Sequence, residues 1–492
     1  MALAHSLVVP SARSPGSTAR ASGLIVGLAA AALFALCAFV PGVLRDGDTW
    51  SHLATGEWIF AHGAVPRADP FSHSMLGAPW VAHEWLSEIL LALALRAAGW
   101  SGVVLLTGAA AACAALVMGL RIARDLEGAA LGIVMTLGLG VWAPNMLARP
   151  HILAMPVAAL WTAGLLAARD RRTAPPVALA LLMTPWANLH GGFVFGLALV
   201  APFAFEGITA EPAEGRWPQA RAWATFTGAA VLAAFVNPYG VDALAFPFRL
   251  MAVENLSHIS EWQAQDFSRL GPFEIALLAL VGFALARPMT TPRVRAALVA
   301  GLIAMALHHT RHAQLLGLIA PMLLARPIAR AIGAAPPRDW GMVARAALAT
   351  SLVAGLAIGA MRLVEPLGRA DDATAPMAAL DNVPLELRSR PVLNDYAFGG
   401  YLIWSGVRPF IDGRADMYGG DMLGLYRGLA AGDSAALAAT LSRYDIAWTV
   451  FSPDLAIVAA LDRRAGWRRI YADRFAVVHV RDDAATDLGL RE

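Results

Sequence analysis

LIVGLAAAALFALCAFVPGVLRDGDTWSH, residues 24–52, runs from one solvent into another without a break. Its first part, Leu24–Leu44, carries no charge over a length that crosses a hydrocarbon core about 30 Å thick, which takes about 20 helical residues. Its second part, Arg45-Asp46-Gly47-Asp48-Thr49-Trp50-Ser51-His52, places two carboxylates two apart and a His four further on. An acidic pair beside a membrane is costly without a purpose. It can hold a divalent metal or provide one base, or Asp48 can cap a helix entry. A polar lead with Arg13 and Arg20 precedes the apolar run, which is too long for a secretory signal and reads as an uncleaved anchor.

The rest of the chain continues this pattern. Of its 492 residues 58% are hydrophobic and 15% charged, with mean hydropathy +0.56, whereas soluble proteins carry about 25% charged residues. The spacing predicts a mainly α, polytopic helical membrane protein with about eleven spans: 22–44, 100–121, 128–143, 151–168, 175–188, 190–207, 221–236, 271–287, 294–308, 312–326 and 343–363. Every cation is Arg, and short cytoplasmic loops collect cations. Arg121 with Arg124, Arg169 with Arg171 and Arg172, Arg216 with Arg221, Arg287 with Arg293 and Arg295, and the Arg326–Arg345 group all fall on one side if the N-terminus is cytoplasmic. This topology leaves the C-terminus extracytoplasmic, in a bacterial inner membrane. The net charge of +2 is spread out, so nucleic acid is not an expected partner. Cys37 and Cys113 lie in apolar runs and read as small buried hydrophobes.

The opposite connections gather a different chemistry. The first, residues 45–99, is too organised for a plain link. It holds the acidic pair, then a segment at Trp50–His62 that suits a short interfacial helix anchored by Trp, a turn-rich Pro66–Pro79, and a helix resuming at Trp80–Ala98. His83-Glu84 opens that last helix, with Glu88 one turn on. The zinc-protease motif HExxH is excluded, because Trp85, Leu86 and Ser87 follow Glu84. Arg149 and the cluster His308-His309-Thr310-Arg311-His312 lie at outer helix ends, where a guanidinium can bind phosphate in two-pronged fashion or simply anchor at the headgroups. His151, Asn188 with His190, Asn237 with Tyr239, and the stretch from Glu254 to Asp266 share this face.

Glu365–Glu492 holds 18 of the 36 acids and 14 of the 38 basic residues, so the tail reads as a soluble domain. Short extended runs at Val392–Asn394, Pro409–Asp412, Trp448–Phe451 and Phe475–Arg481 alternate with helical Met422–Ala430 and Ala435–Tyr444. The expected organisation is a transmembrane domain over 1–364, a linker over 365–390 with Pro366, Pro376 and Pro384, and a small extracytoplasmic α/β domain over 391–492. Phe410-Ile411-Asp412-Gly413-Arg414-Ala415-Asp416 is a candidate loop site, or a pair of turn caps.

Many spans, a long first outer loop opening on an acidic motif, and a soluble tail resemble the GT-C superfamily, which includes oligosaccharyltransferases, protein O-mannosyltransferases and lipid A aminoarabinose transferases. The segments DGDTWSHLATGEWIFAHGAVPRADPFS, PWVAHEWLSEIL and LNDYAFGGYLIWSGVRPFIDGRADMYG look like those of a bacterial branch of membrane proteins. The oligosaccharyltransferase signature WWDYG is missing; Asn394-Asp395-Tyr396-Ala397-Phe398-Gly399 is a distant echo. The resemblance implies transfer of a sugar from a polyprenyl-phosphate donor to an extracytoplasmic lipid, glycan or protein acceptor. It puts the family's first-loop carboxylate on Asp46 or Asp48 and its second acidic site on Glu84. Asp48 is then the preferred base, and Asp46 with Asp48 the place for a Mg or Mn ion. Arg149, His52, His83, His308, His309, Arg311 and His312 are candidates for binding substrate and its phosphate. The alternatives are a transporter or flippase of an envelope precursor and a non-catalytic envelope assembly protein.

Overall fold

The computed structural model describes residues 15–255, 260–334 and 339–487. Arg13, part of the expected polar lead, lies outside them. All eleven apolar runs are helical. The chain forms α1 (Pro15–Phe39), α2 (Asp48–His62), α3 (Trp85–Ile122), α4 (Gly128–Trp142), α5 (Pro150–Asp170), α6 (Val177–Ala180), α7 (Met183–Leu189) and α8 (Phe193–Thr209). It continues through α9 (Ala213–Ala234), α10 (Val241–Met251), α11 (Pro272–Ala286), α12 (Arg293–His308), α13 (Ala313–Ala331) and α14 (Trp340–Val364). Among the described residues six segments are long and apolar enough to cross a bilayer: Gly16–Phe39, Trp85–Ile122, Gly128–Asn145, Pro150–Asp170, Thr310–Ala331 and Trp340–Val364. Val177–Leu189, Phe193–Thr209 and Pro272–Ala286 are shorter apolar helices. The chain is therefore a multi-pass membrane protein.

Lipid gives helices no hydrophobic reason to associate, so close backbone approach through small residues takes over. Gly23 and Gly27 of α1 meet α14 so tightly that a Cβ on Gly23 would lie 2.5 Å from the Val343 carbonyl oxygen and one on Gly27 2.6 Å from Thr350 Cβ. Gly138 of α4 and Gly317 of α13 face each other in the same way. The long α3 breaks at Ala98 and Gly99, whose φ of 57° is open to glycine, and this separates its interfacial start from its membrane part.

Helices α3, α5 and α13 share one polarity. Their C-terminal ends meet in a charge network in which Arg121 binds Asp125 at 2.8 Å and Asp170 at 3.0 Å, and Arg326 binds the same two at 2.9 and 2.7 Å. Their N-terminal ends open onto a cavity about 30 Å away, the length of a 20-residue helix.

The connection over residues 45–99 is more buried than expected. Helix α2 packs on α3, with Trp50, Leu53 and Ile59 inside; Trp50 is a core residue among Trp100, Tyr401 and Trp404, while Trp58 is half-buried and stacks on His62. The 365–390 stretch, expected as a linker, carries α15 (Met377–Asp381) and α16 (Leu385–Arg388) and buries Ala375, Ala379, Leu380, Val383 and Leu387.

The tail contains a four-stranded sheet, β1 (Val392–Asn394), β2 (Trp448–Phe451), β3 (Trp467–Ala472) and β4 (Val477–Arg481), in the order β1-β2-β4-β3. Strand β1 runs parallel to β2; the other pairs are antiparallel. Around it lie α17 (Gly399–Trp404), α18 (Ala415–Ala430), α19 (Ser434–Arg443), α20 (Ala456–Asp462) and α21 (Asp482–Asp487). Pro409–Asp412, expected as a strand, pairs with none, because the Asn394 side chain takes the place of a partner: its Oδ1 accepts from Phe410 N at 2.7 Å and its Nδ2 donates to the Ile411 carbonyl at 2.8 Å. One apolar core joins this unit to Trp80, Ala82 and Tyr239, so the tail closes over the membrane part.

Candidate active site

A cavity of about 1390 Å³ lies at the N-terminal ends of α3, α5 and α13, roofed by residues 395–397 and 413–416 of the tail. Helix N-termini carry unpaired N–H groups and partial positive charge, which suits anionic ligands. Of the residues singled out above, Asp46, Asp48, His52, His83, Glu84, Arg149, His309, Arg311 and His312 line it, although they come from four separate stretches of chain. His308 does not; it ends α12 outside the cavity wall.

The acidic pair is built locally. Asp46 Oδ1 accepts from the Asp48 N–H at 2.8 Å, which caps the start of α2, so Asp46 rather than Asp48 does the capping. Arg149, just before α5, then donates to Asp48 Oδ2 at 2.6 Å, to Asp46 Oδ2 at 3.3 Å and to Glu261 Oε2 at 2.7 Å. Glu261 also pairs with Arg311 at 3.3 Å, and Arg311 lies over the Trp262 ring at 4.4 Å. Three carboxylates and two guanidinium groups thus form one centre.

Its electrostatics are uneven. Burial pushes the Asp48 carboxyl up, Arg149 pulls it down, and Asp46 and Glu261 push it up again, leaving it at about 7. Glu261 is also penalised by burial, but Arg149 and Arg311 outweigh this and hold it at about 2. Burial works against a charged Arg149, yet the surrounding carboxylates keep it well above its ordinary value. Asp48 is the carboxylate poised to exchange a proton near neutral pH.

The donor set does not fit the metal expected at Asp46 and Asp48. Both carboxylates are spent on a guanidinium, and among the described residues no group of three or more His, Cys, Asp or Glu is arranged to hold an ion.

Beside this centre stands a second one around Glu84. Its Oε1 lies 3.6 Å from His83 Nε2 and 3.5 Å from His190 Nε2, and its Oε2 lies 3.8 Å from His52 Nε2. Burial raises Glu84 to about 8 and lowers His83 to about 3. His309 and His312 instead secure the backbone: the ring Nδ1 of His309 lies 2.7 Å from the Trp262 carbonyl and that of His312 3.2 Å from Met305's. The His308–His312 segment therefore clasps the loop that presents Glu261.

The tail reaches the acidic pair through glycine. A Cβ on Gly413 would fall 1.7 Å from Asp48 Oδ1, and one on Gly400 would collide with the Gly47 carbonyl. Asp412 in the candidate loop is fully buried, accepting from Arg414 and Tyr418 at 2.7 Å each, so it builds the turn; Asp416 faces the cavity, raised to about 6 by burial. Asp416 belongs to the candidate loop, but Glu261, Glu88 and Tyr396, which also line this cavity, were not among the candidate site residues. Glu261 stood only within a generally polar stretch, and nothing local marks it.

No protein-family model matches the chain, and no curated protein matches it. Among solved structures it is similar to the crystal structure of ArnT from Cupriavidus metallidurans bound to undecaprenyl phosphate, with 13% sequence identity and a TM-score of 0.48, over 94% of this chain and 96% of that chain. At that distance, what the cavity does has to be read from its own residues.

Proposed function

We propose that the protein is a membrane glycosyltransferase that moves a sugar from a polyprenyl-phosphate donor to an extracytoplasmic acceptor. One observation carries this reading: a near-neutral carboxylate, Asp48, and a lightly engaged guanidinium, Arg311, share a cavity that also has apolar walls. Phe195, Phe246, Phe248, Met251, Phe273 and Leu315 supply lipid-compatible surface, and the volume exceeds the roughly 300–1000 Å³ of ordinary small-molecule pockets. In this reading the cavity opens on the extracytoplasmic side and the Arg-rich helix ends lie in the cytoplasm, with the tail domain outside.

The chemistry follows from the placement. Asp48 takes the proton from the acceptor hydroxyl as its oxygen bonds to the anomeric carbon. The bond from that carbon to the phosphate oxygen breaks, and the electron pair leaves on the phosphate. Arg311, which pairs with Glu261, turns to the developing charge, assisted by the N-terminal end of α13. Arg149 holds Asp48 in place and keeps part of it ionised. A transporter would keep its polar groups near the midplane; here they gather at helix ends, which favours transfer at a surface over passage through the bilayer.

The test compares lipids and glycans of wild-type cells, deletion cells and cells carrying Asp48→Asn. One sugar should be missing from the last two, with the variant present in the membrane at normal level. Full transfer by Asp48→Asn would remove the catalytic assignment.

A further inference from the structure

The Glu84 centre has hydrogen-bonding capacity that its own members leave unspent. The three His–Glu84 separations of 3.5–3.8 Å are too long for good hydrogen bonds, and all four side chains keep 12–21% of their surface open. The far ring nitrogens fix the tautomers of His190 and His83. The Gly192 N–H donates to His190 Nδ1 at 3.0 Å, so the proton of that neutral ring sits on Nε2 and points into the centre. His52 Nδ1 faces Glu88 Oε1 at 3.3 Å and His83 Nδ1 faces the Val81 carbonyl at 3.4 Å. The Val81 carbonyl can only accept, so His83 carries its proton on Nδ1 and presents a bare Nε2 lone pair, whereas the buried Glu88 carboxyl accepts when ionised and donates when protonated, so His52 presents either a lone pair or an N–H. The pocket therefore offers the His190 N–H, the His83 lone pair, a His52 nitrogen of either kind and a carboxyl.

A phosphate, which only accepts, would face the His83 lone pair and a carboxyl. For a metal ion the His190 nitrogens are taken, and among the described residues no group of three or more His, Cys, Asp or Glu is arranged to hold one. A run of hydroxyls, each both donor and acceptor, satisfies all four groups. Phe246 stacks on His83 with ring centres 3.8 Å apart and gives the pocket an apolar wall for the C–H face of a ring. We infer that Glu84, His52, His83 and His190 hold the uncharged hydroxyl face of the transferred sugar, an assignment that rests on the glycosyl-transfer reading. Glu88 is a positioning residue behind His52. The lowered His83 and raised Glu84 agree with a pocket that is neutral at pH 7.

The test uses the full-length protein in lipid nanodiscs and two kinds of probe: undecaprenyl phosphate, and undecaprenyl phosphate carrying one neutral hexose or pentose, taken as a panel. For the wild type at least one sugar-bearing lipid should bind more tightly than the bare one. His83→Phe and His190→Phe should each lose roughly tenfold of that increment, the worth of one or two hydrogen bonds, with bare-lipid affinity unchanged. His190→Gln, which keeps a donor, should retain most of it and shows that the site tolerates substitution. The inference is overturned if no neutral sugar strengthens wild-type binding, if the Phe variants keep the increment, if they lose both affinities alike, or if a chelator removes the increment. Wild-type protein that binds neither lipid would instead refute the transfer reading itself.

Discussion

Arg149→Gln tests the core of the transfer reading through pH. The Arg149–Asp48 contact is 2.6 Å, with both side chains less than a quarter exposed, so solvent screens it weakly. A hydrogen bond to a charged group contributes about 1.5–3 kcal/mol, and one pH unit corresponds to about 1.36 kcal/mol, so losing it moves Asp48 upward by about one to two units. The sign is fixed: Arg149 favours the ionised form, and its removal favours the proton. With Asp48 at about 7 and Glu84 at about 8, wild-type kcat/KM should rise through pH 7 and fall above pH 8 if the protonated Glu84 is the useful form. In the variant the acid limb moves past the alkaline one. Peak activity should fall about tenfold or more, since each unit of displacement costs about a factor of ten. In a Glu84→Gln background, which removes the alkaline limb, the rise should reappear one to two units above its wild-type position. Transfer from a sugar-bearing undecaprenyl phosphate in proteoliposomes between about pH 5 and 9.5 gives the profiles. A profile merely scaled down, with its acid midpoint unmoved, would refute the role given to Arg149.

Four further outcomes are expected. Gly413→Ala should cut turnover at least about a hundredfold, because its Cβ would land on Asp48 and a small displacement of a catalytic group costs about that much. Gly428→Ala, with nothing near its Cβ, should leave turnover unchanged in the same assay. Asp125→Asn strips two ion pairs from the buried network at the far helix ends and should destabilise the protein by about 3–5 kcal/mol, read by thermal unfolding in detergent, while folded protein keeps its turnover. Asp412→Asn should cost a similar amount, about 3–5 kcal/mol, since it leaves buried Arg414 short of a partner, and should show up as poor accumulation in the membrane.

The fold was largely legible because lipid enforces one rule, a long apolar run for each crossing helix, and the runs stood apart in the sequence. Strand β3, WRRIYA, escaped notice because none of its residues is fully buried, its register shifts between Arg469 and Tyr471, and adjacent arginines break any alternation. Pro409–Asp412 misled in the opposite direction: its residues are apolar and extended, but an Asn side chain stands in for the ladder, a substitution no periodicity reveals. The sequence grouped residues that the fold brings to one end of the helices, but it did not reveal how they pair. Asp46 and Asp48 looked like a metal pair because spacing along the chain is all that sequence displays. Burying two carboxylates demands a compensating cation, and here it comes as Arg149, 101 residues beyond Asp48. Glu261 then adds a third negative charge, and Arg311 answers it. Burial raises Asp48 to about 7 because Arg149, which it shares with Asp46 and Glu261, offsets that penalty only in part. Glu261 instead pairs with both Arg149 and Arg311 and is held at about 2, so an acid that carries no motif of its own adds to the tuning of the base.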